Sequence, residues 1–421
     1  MGRETSTARP RVVILGGGFA GIGAAQKLKK ADAEVVLFDH HDYHTFQPLL
    51  YQVATGLLEE VAVGHPLRDL FHKQPNLRMH QDAVTEIDLD ARKVRFSELE
   101  EHEYDFLVLA LGAEVNFFGV KGADQVAFPL YTLSDAVRLK NHVLNLWEQT
   151  DRTPMLAEDG SLNIVVVGGG PTGIETAGAL AELYDGIFRK DYPDLPHEQA
   201  RITLVEAGPE IFPMFKPDIR SYTEKALDER GVEVMTGDVV ESIEPTRVTL
   251  KSGAVLRAYT LVWGAGLQGN ALVRSLGLEL EKGNRIGVDA ELSVPEHPEV
   301  YAVGDIAAIT DQKTNQVLPQ LGSVALQSGE HAGEAIARRV AGKETKPFKY
   351  RDKGTMATIG RGSAVVQMLG GRTMKGKAAQ VAWGTVHLAL LPTNQDRAKA
   401  VVDWAGAGMT HQREARITVE T

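Results

Sequence analysis

At 421 residues the chain exceeds what one hydrophobic core usually serves, so two or three domains are expected. With 43% apolar and 24% charged residues it has the composition of a globular protein, which excludes a disordered or fibrous one. The net charge of −11 argues against nucleic acid as the main partner, and the absence of cysteine removes disulfides, thiolate nucleophiles, iron–sulfur clusters and Cys-based zinc sites.

The start of the chain, Met1 to Arg9, is polar and lacks a signal-peptide core, so a cytoplasmic origin is expected. The first predicted element is the β-branched run Arg11 to Leu15, followed at once by glycines and an Ala-rich stretch of helical period. Gly16, Gly18 and Gly21 form G-x-G-x-x-G in the strand-to-helix context that the motif requires. The first glycine makes a tight turn, the second lets the backbone approach a pyrophosphate, and the third lets helix and strand pack closely. The strand Glu34 to Phe38 then ends at Asp39, 23 positions after Gly16, where a carboxylate can accept hydrogen bonds from both hydroxyls of an adenosine ribose. Further on, Asp88 to Phe96 and Phe106 to Leu109 read as strands, and Tyr131 to Trp147 as a helix.

From Asn163 the pattern repeats. The strand Asn163 to Val167 leads into Gly168, Gly170 and Gly173, and Arg201 to Glu206 again ends in a carboxylate. Here the gap from Gly168 is 38 positions, stretched by Tyr184 to Gln199, which carries Pro193 and Pro196 and reads as a helix end plus a loop. A negative Glu206 would bond a free 2'-hydroxyl and repel a 2'-phosphate, so NADH is expected over NADPH. Glu175 falls on the first turn of the following helix, where a carboxylate can orient a carboxamide or relay a proton; a first-turn acid favoured by the helix dipole is the other reading. Val232 to Thr236, Arg247 to Leu250, Thr260 to Trp263 and Val300 to Val303 are further strand candidates. The last of these runs into Gly304 and Asp305, and Asp305 can bond the ribityl chain of a flavin.

Two fingerprints without any cysteine imply a flavin beside a nicotinamide, with FAD and NADH as cofactors, hydride transfer as the chemistry and no metal. The expected fold is α/β, with two Rossmann-like dinucleotide-binding domains and a C-terminal region for a membrane surface or for dimerisation. The boundaries follow as 10–115 and 290–345 for FAD, 116–289 for NADH and 346–421 for the C-terminal region.

That last region differs in charge, holding 12 Lys or Arg against 5 Asp or Glu. Residues 378–391 can form an apolar helix of about 21 Å, too short to cross a bilayer. Lys375, Lys377, Arg397 and Lys399 flank it, and Trp383 and Trp404 suit an interface, so an anionic membrane surface is the expected partner. A homodimer interface or a core helix is the other reading, and His387 reads as a helix-surface residue.

The stretches VVILGGGFAGI (Val12 to Ile22), FQPLLYQVATG (Phe46 to Gly56), LVLALGA (Leu107 to Ala113), VVVGGGPTGIETAGALAEL (Val165 to Leu183), WGAG (Trp263 to Gly266), YAVGD (Tyr301 to Asp305) and LPQLGSVALQSGEHA (Leu318 to Ala332) resemble the two-dinucleotide-binding-domain flavoproteins. Within them they resemble the type II NADH dehydrogenases, or NADH:quinone oxidoreductases, over nearly the whole chain. That resemblance implies FAD at Asp39 and the first glycines, NADH at Glu206 and the second, and Glu175 between nicotinamide and flavin. It implies a quinone as acceptor, without proton pumping, at a protein that is peripheral on the inner face of the cell membrane. The family's quinone motif, roughly Ala-Gln-x-Ala-x-Gln, stands here as Gly322-Ser323-Val324-Ala325-Leu326-Gln327. Gln327 matches the second Gln, and Ser323 replaces the first. Gln47, Pro48 and Tyr51, in the FQPLLYQ segment, line the flavin or quinone pocket or serve only loop-to-helix packing. A soluble NADH-dependent reductase of a ferredoxin-like protein is the alternative, and an NADH-flavin redox sensor a second.

Overall fold

The computed structural model describes residues 9–410 and 416–418. In chain order its principal elements begin with β1 (Arg11–Leu15), α1 (Phe19–Lys27), β2 (Glu34–Asp39), α2 (Leu50–Ala54), β3 (Leu77–Gln81) and β4 (Phe106–Leu109). Then follow α3 (Leu133–Arg152), β5 (Ile164–Val167), α4 (Pro171–Leu183), β6 (Ile202–Glu206), β7 (Val232–Thr236) and β8 (Thr260–Trp263). The last are β9 (His297–Ala302), α5 (Gly322–Val340), β10 (Thr355–Gly360), β11 (Ser363–Gln367), α6 (Gly376–Leu390) and α7 (Asn394–Thr410). They divide into two compact units, one of residues 9–44, 65–114 and 267–352, the other of 45–64, 115–266 and 353 onward.

The first unit is built on a six-stranded sheet in the order Ser293–Val294, β9, β4, β1, β2, β3. Its last five strands run parallel, with Val12 beside Val35 on one side and Phe106 on the other. Parallel strands covered on both faces need continuous apolar runs rather than alternation, and Val12, Val13, Ile14 and Leu15 are all fully buried. Helices α1 and α5 pack at backbone contact: a Cβ on Gly329 would lie 1.9 Å from Ala20 O, and one on Gly23 2.7 Å from Leu326 O. The expected strand Asp88 to Phe96 is instead a hairpin, Val84–Asp88 and Lys93–Phe96, because the chain turns at Arg92 with φ +54°.

The second unit carries a five-stranded parallel sheet in the order Phe128–Pro129, β8, β5, β6, β7. Helix α3 begins in a capping box: Thr132 Oγ1 accepts from Asp135 N at 3.1 Å while Asp135 Oδ2 accepts from Thr132 N at 2.8 Å. After α4 the chain runs through a π-helical turn, Tyr184–Phe188, before the proline-bearing loop expected there. A small antiparallel sheet, β10, β11 and Thr373–Lys375, packs against α4, where a Cβ on Gly178 would meet Ile359 O at 2.1 Å. Helix α6 buries Ala379, Trp383 and His387, an i, i+4, i+8 stripe. Among the described residues no helix is long and apolar enough to cross a membrane.

Candidate functional site

In the first unit the turn after β1 separates the roles of its three glycines. Gly16 has φ +106°, and a Cβ there would lie 2.2 Å from Ala110 O; one on Gly21 would lie 1.8 Å from Gly16 O. These two are required by the chain's own backbone. Among the described residues a Cβ on Gly18 would meet nothing within 4 Å, so no described neighbour explains that glycine. The open space lies at the start of α1, whose N–H groups and dipole favour an anion, as a pyrophosphate requires. Asp39, at the end of β2, accepts from Gly17 N at 2.5 Å through Oδ2 and from His41 N at 2.7 Å through Oδ1. The carboxylate is thereby fixed beside the glycine turn.

Gly304 and Asp305 follow β9 in a short 3-10 turn held by Gly304 N donating to Ser328 Oγ at 3.0 Å and by Gln320 Nε2 donating to Asp305 O at 3.0 Å. Arg285, which no sequence spacing marks, binds the same turn through Ala307 O at 2.9 Å and reaches Leu318 O at 3.1 Å. Burial lowers the Arg285 pKa, and the Asp305 carboxylate opposes that shift. On α5, Ser323 Oγ pairs with Tyr350 OH at 2.9 Å. Gln327 binds the backbone of Arg351 twice, through Nε2 to its O at 3.1 Å and Oε1 to its N at 3.0 Å.

The second unit repeats the same turn. Gly168 has φ +111°, a Cβ there would lie 2.7 Å from Gly264 O, one on Gly173 1.8 Å from Gly168 O, and one on Gly170 would again meet nothing within 4 Å. Glu206 accepts from Gly169 N at 2.5 Å and Gly208 N at 2.6 Å, the counterpart of Asp39. The WGAG segment that begins at Trp263 is the close neighbour of this turn, with Gly264 N donating to Val167 O at 2.8 Å.

The same unit contains a cavity of about 590 Å³ walled by Tyr51, Gln52, Glu175, Arg361, Trp383 and Trp404 among others. Glu175 is half-buried there, and burial pushes its carboxyl up to about 8, against the opposing effect of Thr358 N, which donates to Oε1 at 3.2 Å. Along the wall, Trp404 Nε1 donates to Gln52 Oε1 at 2.7 Å and Gln52 Nε2 donates to Tyr51 OH at 2.8 Å. From the FQPLLYQ segment the cavity takes Tyr51 and Gln52, while Gln47 and Pro48 form the 3-10 turn that precedes α2. Ser323 and Gln327 belong to the first unit and are not in this wall.

Two readings of the C-terminal helices change. Trp383 is only 4% exposed and stacks on His387 with centroids 4.2 Å apart, so it is a packing residue rather than an interfacial anchor. His387 is buried, not on the helix surface; its Nδ1 pairs with Trp383 O at 2.8 Å, and burial pushes its pKa down to about 4. The apolar face that α6 turns inward carries both.

Comparison with known proteins agrees with this double-cradle geometry. The pyridine nucleotide-disulphide oxidoreductase family model matches residues 10–329. The chain is 34% identical to the type II NADH:quinone oxidoreductase Ndh of Mycobacterium tuberculosis, over 98% of its own length and 91% of that protein's. It belongs to the type II NADH:quinone oxidoreductase family. A second type II NADH:quinone oxidoreductase, from Staphylococcus haemolyticus, is 29% identical over 88% of this chain and 92% of its own. Among solved structures, the NDH2 of Plasmodium falciparum in complex with NADH shares the fold, with a TM-score of 0.90 at 19% identity, covering 98% of this chain and 100% of that one.

Proposed function

We propose that this type II NADH:quinone oxidoreductase binds FAD at the Gly16 turn and NADH at the Gly168 turn, and passes two electrons from NADH to a quinone. The observation that carries the reading is the pair of glycines, Gly18 and Gly170, that no neighbour among the described residues requires. When bound, FAD supplies the two-electron chemistry that a chain without cysteine lacks.

The residues of the chain divide the remaining work. The N-termini of α1 and α4 bind the two pyrophosphates, while Asp39 and Glu206 accept from the ribose hydroxyls. Asp305 orients the ribityl chain, and Arg285 holds its turn. Glu206 sets the preference for NADH, since a 2'-phosphate would bring like charge against it. Glu175, with a pKa near 8, stays protonated at neutral pH and can donate a proton or a hydrogen bond into the cavity. The cavity beside it, with Tyr51 held by Gln52, which Trp404 holds in turn, receives the quinone ring. Ser323 and Gln327 tie the start of α5 to Tyr350 and Arg351.

Val381 and Val402 are 71% and 68% exposed on α6 and α7, close in sequence to Lys377 and Lys399. These exposed apolar positions with lysines near them in sequence support a reading in which the two helices meet an anionic membrane surface, with the protein peripheral on the inner side of the cell membrane. Steady-state NADH oxidation tests the whole reading. Turnover with a soluble quinone well above that with ferredoxin upholds it; the reverse preference assigns the chain to protein-acceptor reductases.

A further inference from the structure

We propose that Asp39, His40 and His41 form a zinc site whose occupation competes with FAD for the Asp39 carboxylate. The proposal rests on the FAD reading of the first cradle. Among the described residues these three bring one carboxylate oxygen and two ring nitrogens within 4.8 Å of one another. His40 Nδ1 already lies 3.3 Å from Asp39 Oδ1. With zinc bonds of about 2.0 to 2.2 Å, tetrahedral donors sit roughly 3.3 Å apart, so this pair has the required separation.

The rest of the cluster can close. The His40 side chain is 65% exposed, whereas that of Asp39 is 13% exposed and pinned by the N–H groups of Gly17 and His41. The two imidazoles lie 3.8 Å apart, and Tyr43 stacks on His41 at 4.8 Å, which holds that ring near the carboxylate. Two imidazoles and one carboxylate suit zinc and do not suit magnesium or calcium, which prefer all-oxygen shells; water completes the fourth position.

Competition follows from how the carboxylate is already used. Each Asp39 oxygen accepts one backbone N–H, and the lone pairs that remain are those the ribose hydroxyls of FAD would take. A metal held there by His40 and His41 withdraws the same acceptors.

The test measures FAD released at equilibrium from diluted holoprotein, by flavin fluorescence, as ZnCl₂ or MgCl₂ is added. At zinc ten times its dissociation constant, the apparent dissociation constant of FAD rises about tenfold, and magnesium leaves it unchanged. The His40→Asn/His41→Asn double variant keeps its flavin and does not respond to zinc. A wild type that ignores zinc, or a double variant that responds equally, overturns the proposal. Protein that never carries flavin overturns the FAD reading instead, and calorimetric zinc uptake lost in the double variant would still uphold the metal site.

Discussion

The backbone N–H of Thr358, in β10, donates to Oε1 of Glu175, on α4, across 3.2 Å and 183 positions of sequence. It opposes the effect of burial on that carboxyl and does not suffice: the pKa stands near 8 rather than 4.5. Between those values the unfolded chain is ionised at this position and the folded chain is not, so stability falls as pH rises from about 4.5 to about 8 and then levels. Glu175→Gln removes this dependence. In urea titrations the variant should exceed the wild type at pH 8 by about 2 to 4 kcal/mol, less than full linkage because the cavity admits water, and the gap should close below pH 5.

The same substitution tests the proton role. Glu175→Gln retains hydrogen bonding but cannot release a proton, so flavin reduction or quinone turnover should slow by about 10- to 100-fold with FAD retained. Stopped-flow absorbance checks this; Glu175 stands past the first turn of α4, not within it as the sequence suggested, so unchanged rates at pH 7 would leave it a buried acid with no proton role.

Gly168→Ala and Gly170→Ala should part sharply, although they are two positions apart. Alanine at Gly168 would place a methyl 2.7 Å from Gly264 O at φ +111° and should prevent folding. Alanine at Gly170 meets no protein atom within 4 Å and sits at an accessible φ of −83°. That variant should melt like the wild type and keep its flavin, with KM for NADH raised about 10-fold or more.

The proposed function has Glu206 set cofactor choice. Glu206→Ser removes the charge that opposes a 2'-phosphate, and kcat/KM for NADPH relative to NADH should rise about 10- to 100-fold. An unchanged ratio would move the ribose contact elsewhere.

Much of this was legible in the sequence, because the glycine turns are local. Gly16, Gly18, Gly21 and their second copies follow strands whose apolar runs declare themselves, and Asp39 and Glu206 end the next strands in register. What the sequence concealed depends on contacts over long separations. Gln52 meets Trp404 across 352 positions, Glu175 meets Thr358, and Arg285 reaches Leu318; no periodicity encodes such partners. Composition likewise made Trp383 and His387 look superficial, because a half-apolar helix does not reveal which face it buries until β11 is in place.

Membrane attachment depends on Val381 and Val402 in this account. Val381→Glu/Val402→Glu should leave thermal stability within about 0.5 kcal/mol, since both side chains are exposed, and should reduce co-flotation with anionic vesicles several-fold. Undiminished flotation, or a change only in oligomeric state, would assign this face to a second copy of the chain.

Anaerobic stopped-flow of the purified protein, mixed with NADH and then with a soluble quinone, bears most directly on the electron path. A flavin absorbance band that bleaches on the first mixing and returns on the second is the result this structure requires. A colourless protein that takes up no FAD, or a bleached flavin that the quinone leaves reduced, would contradict it.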